Sequence, residues 1–127
     1  MTPSLEERDT LFKAFGRAFF KQDMDAMFQI VTEDFTWTVE DDGVVRELVG
    51  KQQIADFFAE RKGKNIDVRF TDVVFHHAPD ATFMQYRISG KVAATGEPFA
   101  RVGVERYTFR DGKLAVKDVY ARPAPAT

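Results

Sequence analysis

The chain has no cysteine among its 127 residues, which excludes disulfides, thiolate nucleophiles and cysteine-ligated metals. Nothing in it points to an oxidising compartment, so a cytoplasmic location is the expectation. No run approaches the ~18 apolar residues of a membrane span. The opening "MTPSLEERDTLF" carries acids where a secretory leader needs a basic and then an apolar segment. No membrane partner is expected. An excess of one charge is also missing: 18 basic against 20 acidic residues leave a net charge of −2. With both signs interspersed, there is no electrostatic footprint for nucleic acid. GxGxxG, Walker and HExxH patterns and a nucleophile elbow are absent, so nucleotide, zinc-hydrolase and serine-hydrolase readings have no support. The two histidines, His76 and His77, are adjacent; on a strand they face opposite ways and cannot ligate one metal from the same side. Neither a metal nor a cofactor is expected.

What is abundant is phenylalanine, with thirteen residues. Each ring buries on the order of 150–250 Å², so this core can either pack tightly or enclose an aromatic-lined pocket. The length suits one domain over 1–127. Ser4 followed by Glu7 forms a capping box, and Leu11, Phe12, Phe15, Ala18 and Phe19 then recur at helical spacing, which predicts a helix over 5–21. Asp23 can cap a short second helix through "MDAMFQIV". A third runs from after Gly50 to Arg61, with Ile54, Phe57 and Phe58 inward. Between the last two, "DFTWTV" and "VVRELV" flank the acidic turn "EDDG" and predict paired strands.

From Asn65 onward every signal is of strand type: "IDVRFTDVVFHH", "ATFMQYRISGKV", "FARVGVERYTF" and "KLAVKDVYA". The breaks "APD", "ATGEP" and "RDG" are rich in turn formers, so neighbouring strands pair as antiparallel hairpins. The tail over 122–127 is expected to fray. Helices first and strands afterwards imply an α+β domain. Three helices from the N-terminal half pack on a curved, mostly antiparallel mixed sheet, making a cone-shaped barrel with one open end suited to a small-molecule pocket.

The run "DMDAMFQIVTEDFTWTVEDDG", then "LVGKQQIADFFAER", then "YTFRDGKLAVKDVYA" resembles the nuclear transport factor two-like (cystatin-like) superfamily, especially its SnoaL-like polyketide cyclase and ketosteroid isomerase-related members. The resemblance implies a cone-shaped fold over nearly the whole chain, whose open end is the expected site for a small apolar organic ligand. It does not fix a reaction, because the fold hosts isomerases, cyclases, epoxide hydrolases, dehydratases and inert proteins. The general base of the ketosteroid isomerases that this chain resembles falls on Val39 and their oxyanion tyrosine on Phe15, neither of which can move a proton. Their hydrogen-bonding acid falls on Glu105. The epoxide hydrolases of the superfamily imply Asp118 on the final strand and Arg87 on an earlier one, with Ser89 where a second aspartate would stand.

Strand alternation supplies the candidate site. Phe35, Trp37 and Val39 share the inward face of their strand, which leaves Glu40, Asp41 and Asp42 as a solvated or turn-forming cluster. Arg101, Gly103, Glu105, Tyr107 and Phe109 share another face, and burial among rings raises the pKa of a glutamate. On the last strand Leu114, Val116, Asp118 and Tyr120 alternate with Ala115, Lys117 and Val119, and the first set is taken as inward. The expected catalytic groups are therefore Glu105, Asp118 and Arg87. Phe15, Phe19, Trp37, Val39 and Phe57 form the expected apolar wall; Ser89, Arg101, Tyr107 and Tyr120 form its polar side. An Arg87–Asp118 ion pair is the purely structural alternative. Met84, Tyr86, Ile88, Val102 and Val104 are expected outward, as a patch for dimerisation through the outer sheet face. Two functions fit: a cofactor-independent isomerase or lyase acting on an apolar cyclic substrate by general acid/base proton transfer, or a ligand-binding or dimerisation module without chemistry.

Overall fold

The computed structural model describes residues 2–41 and 43–125. Helix α1 spans Leu5–Lys21, α2 Met24–Met27 and α3 Gly50–Arg61. The strands are β1 Val31–Asp41, β2 Val44–Val49, β3 Asn65–His77, β4 Ala81–Val92, β5 Pro98–Arg110 and β6 Lys113–Pro123. Ser4 and Glu7 cap α1 reciprocally, and Gln22 ends it in the left-handed region. Helix α2 stops earlier than its periodicity suggests, because the chain turns back through a bond from Ile30 N to Met27 O and enters β1 at Val31.

The sheet is six-stranded, in the order β2-β1-β6-β5-β4-β3. Only β1 and β6 pair in parallel; the other neighbours are antiparallel. It curves without closing, since β2 and β3 remain its two edges, so the expected cone is an open one. Curvature comes partly from two irregularities in β3, between Ile66 and Arg69 and between Thr71 and Val74. Each holds an aspartate at positive φ, Asp67 at 54° and Asp72 at 55°, which marks an extra residue on one strand and a stronger local twist. The helices cover the concave face. Phe15 and Ala18 of α1, Met27 of α2 and Ile54, Phe57 and Phe58 of α3 meet Phe35, Trp37 and Tyr107 of the sheet in one core.

Two expectations about side-chain direction are corrected by strand register. In the β4–β5 hairpin Met84 lies opposite Glu105, Tyr86 opposite Gly103 and Ile88 opposite Arg101. Partners share a face, so Met84, Tyr86 and Ile88 point into the concave side, and Arg87 and Ser89 point out; a one-residue slip reverses a whole strand. In β6 the pairs Thr108↔Val116 and Phe109↔Leu114 leave Ala115 as an extra residue. Leu114 faces inward and is fully buried, but alternation restarts beyond the bulge, so Ala115, Lys117 and Val119 face inward while Asp118 and Tyr120 face out. The last strand reaches into the tail: Val102 pairs with Arg122, Arg101 with Pro123, and Ala124 N donates to Ala100 O. Asp42 of the acidic turn and Ala126 and Thr127 of the tail lie outside the described residues.

Gly103 is required by close approach. A Cβ there would stand 2.8 Å from Tyr86 Oη and 2.9 Å from the Tyr120 carbonyl oxygen. Gly103→Ala is therefore expected to cost about 1–3 kcal/mol through overpacking, measured by thermal or denaturant unfolding; an unchanged stability would mean that Tyr86 does not lie across this strand.

Candidate functional site

Between the concave sheet and α1 lies an apolar hollow with two lobes. The first, of about 250 Å³, lies beneath Phe12, Phe15 and Phe19 of α1 and reaches Phe70 and Phe75 of β3. The second, of about 310 Å³, runs past Trp37, Val39 and Phe57 toward Arg61 and Arg101. Phe19, Phe70, Glu105 and Lys117 line both lobes. Phe20 and Val73, 71% and 43% exposed, rim the first lobe and connect it with solvent.

Glu105 and Lys117, each 4% exposed, place opposite charges in this apolar space. The Lys117 Nζ to Glu105 Oε2 distance is 3.8 Å. Tyr107, itself buried, donates its hydroxyl to Glu105 Oε1. Burial, then the neighbouring Glu105 charge, raises the Tyr107 phenol well above its ordinary range. Tyr86 is raised for the same two reasons, with Arg101 opposing. Both phenols therefore remain neutral donors around a carboxylate. The lysine stands in an aromatic cage: Nζ lies 3.5 Å from the Phe19 ring centroid, 4.8 Å from Trp37 and 5.7 Å from Phe15. Burial lowers the Lys117 pKa, and the Glu105 charge only partly opposes it. The Trp37 indole N–H is buried with no hydrogen-bond partner among the described residues, an unmet donor on the wall of the second lobe.

The structure thus gathers Glu105, Tyr107, Arg101, Phe15, Phe19, Trp37, Val39 and Phe57 around the hollow. It does not bring Asp118, Arg87, Ser89 or Tyr120 there. Tyr120 Oη donates to Asp118 Oδ2 at 2.7 Å on the convex face, where Arg106, not Arg87, sits opposite Asp118. The expected Arg87–Asp118 pair does not form, and Arg87 and Ser89 line a groove on that outer side. Glu40 approaches Arg101 at 3.6 Å, at the mouth of the second lobe. His77 Nδ1 shares a 3.0 Å hydrogen bond with Thr82 Oγ1, away from both lobes. Sequence reasoning missed Lys117 and Tyr86. The signal for Lys117 was the adjacent apolar pair Leu114–Ala115, which breaks alternation and offers Ala115, Lys117 and Val119 as the inward set.

The arrangement is an open α+β cone whose helices enclose a greasy cavity with a buried acid at its centre. Solved structures with this fold include an NTF2-like protein from Burkholderia xenovorans LB400, 17% identical, with a TM-score of 0.81 over 94% of this chain and 92% of that one. A candidate polyketide cyclase from Xanthomonas campestris pv. campestris is 19% identical, with a TM-score of 0.74 over 91% and 90%. A protein with a ketosteroid isomerase-like fold from Catenulispora acidiphila DSM 44928, in complex with trimethylamine, is 18% identical, with a TM-score of 0.70 over 94% and 86%. At these identities the likeness concerns the fold. No curated protein matches the sequence significantly. The SnoaL-like domain family matches residues 12–117, and the chain belongs to that family. Among the described residues, no helix is long and apolar enough to cross a membrane.

Proposed function

We propose that the protein binds a small, apolar, cyclic carbonyl compound in the two-lobed hollow and moves a proton next to its carbonyl, as a cofactor-independent isomerase or lyase of the cytoplasm. The observation that carries this reading is Glu105: a carboxylate 4% exposed, bordering both lobes and hydrogen-bonded by Tyr107. A buried carboxylate in reach of bound substrate can act as general base, and a neutral phenol beside it can donate to developing negative charge. Lys117 supplies a cation for the same charge. The roles first assigned to Asp118 and Arg87 pass to Lys117 and Tyr107. The protein is further proposed to work as a homodimer through the convex face, where Val104 and Tyr120 are 36% and 61% exposed; sedimentation showing only monomer at micromolar concentration removes that part.

Exchange of the α-protons of 2-tetralone in deuterated buffer, followed by NMR, tests the reading. Wild type is expected to accelerate exchange, and Glu105→Gln to lose about 10²-fold or more of that acceleration. Stabilisation of the fold by the ketone, without exchange above buffer, would instead favour a binding module, consistent with Val39 and Phe15 at the two non-ionisable positions.

A further inference from the structure

We propose that Lys117 is a covalent catalyst: its Nζ condenses with an aldehyde or ketone held in the hollow to form a Schiff base, with Glu105 carrying the protons. The proposal deepens the reading above and rests on it.

Three observations meet at one atom. Lys117 borders both lobes, so a carbonyl bound in either one can reach its amine. Its side chain is 6% exposed and caged by Phe15, Phe19 and Trp37, so water does not compete freely for the amine. Among the described residues its one ion-pair partner is Glu105, 3.8 Å away, a gap that the flexible lysine stem can close. Lysines act as nucleophiles when desolvation favours the neutral amine, and burial is the dominant influence on this one. An ion pair kept only for stability has no need to border a cavity on both sides.

The step balances without a further reactant. A proton passes from Nζ to Glu105, and the neutral amine attacks the carbonyl carbon. The C–N bond forms as the carbonyl π pair moves to oxygen, which takes the proton back from Glu105. The carboxylate then removes a second proton from nitrogen and delivers it to the hydroxyl group. The nitrogen lone pair expels water, and Glu105 ends as it began. The positively charged C=N bond is a stronger electron sink than the carbonyl, so Glu105 can next take an α-proton while the electron pair flows into nitrogen. Return of the proton at another carbon is isomerisation; loss of a β-substituent is a lyase step.

The test is reductive trapping on the intact protein with benzaldehyde and sodium cyanoborohydride, followed by peptide mapping. Lys113, at the exposed start of the same strand, is the internal control. A buried amine beside a bound carbonyl is a better nucleophile than a solvated one, and the expected result is about tenfold or greater labelling of Lys117 over Lys113, lost when the chain is unfolded in urea. Lys117 left unlabelled, or labelled no faster than Lys113, overturns the proposal. Thermal stabilisation by benzyl alcohol, which cannot form an imine, separates the two readings. Stabilisation by the alcohol without trapping at Lys117 removes the Schiff base and leaves the binding site standing; neither effect removes both.

Discussion

Replacing Lys117 with methionine while Glu105 stays in place is expected to destabilise the protein by about 3 kcal/mol at neutral pH, the lower end for stranding one partner of a buried ion pair. The low end applies because Tyr107 still donates to the carboxylate. The double variant Lys117→Met/Glu105→Gln is expected to return to within about 1 kcal/mol of wild type, since buried pairs replaced by neutral groups of similar volume are often neutral or stabilising. Denaturant unfolding of both single variants and the double closes the cycle. The pH dependence has a definite sign. Lys117 is lowered by burial, so between its folded pKa and the unfolded value of about 10.4 the unfolded chain binds more protons, and stability rises with pH. Above about pH 10 the raised phenol of Tyr107 works the other way: the unfolded chain loses that proton first, and stability falls. Lys117→Met lacks the rise and keeps the fall. Additive single variants would mean that the two charges do not meet.

The second large effect lies in the first turns of α1, where Arg8 is 3% exposed and has no carboxylate partner among the described residues. Its guanidinium donates to the carbonyls of Pro3 at 3.0 Å, Ala78 at 2.6 Å and Pro79 at 2.8 Å. It also reaches the Ala81 carbonyl and Thr82 Oγ1, both at 3.2 Å, and lies 4.9 Å from the centroid of the Phe109 ring. One side chain thus ties the helix to the β3–β4 turn. Arg8→Met keeps the apolar stem and removes every donor, so several buried acceptors lose their partner. The expected cost is about 3 kcal/mol, with faster amide exchange at Ala78, whose N–H bonds the Ala81 carbonyl. A loss below about 0.5 kcal/mol, the range of ordinary surface substitutions, would show that water takes over these bonds and that the latch is not structural.

Arg8 carries no sequence signal of this role, since a polar residue in the first turns of an amphipathic helix reads as solvated. The long helices were legible because Ser4 with Glu7 and the Phe12, Phe15, Phe19 spacing state both a start and a face. The strand order of the last four elements was legible from their turns, whereas the parallel return of β6 along β1 joins segments far apart in sequence and leaves no local signal. What local pattern does not contain is register. Alternation gives two opposed faces but does not say which is inside, and on β4 the choice that put Arg87 inward sent Met84, Tyr86 and Ile88 to the wrong side. On β6 a single bulged residue, Ala115, moved Asp118 out and Lys117 in. Glu105 was read as facing the same side as Tyr107, and both line the first lobe; no bulge intervenes between them on β5. The half of the site on a regular strand was readable, and its partner on a bulged one was not.

The central claim is that a lysine amine lies inside an aromatic cage beside Glu105, and NMR titration of the lysine side chains tests it most directly. One resonance, assigned to Lys117 by its loss in Lys117→Met, is expected to be shifted by the ring 3.5 Å away and to titrate below the ordinary lysine range. If every lysine titrates near about 10.4 with no ring-shifted signal among them, Lys117 is in water and the site does not exist as described.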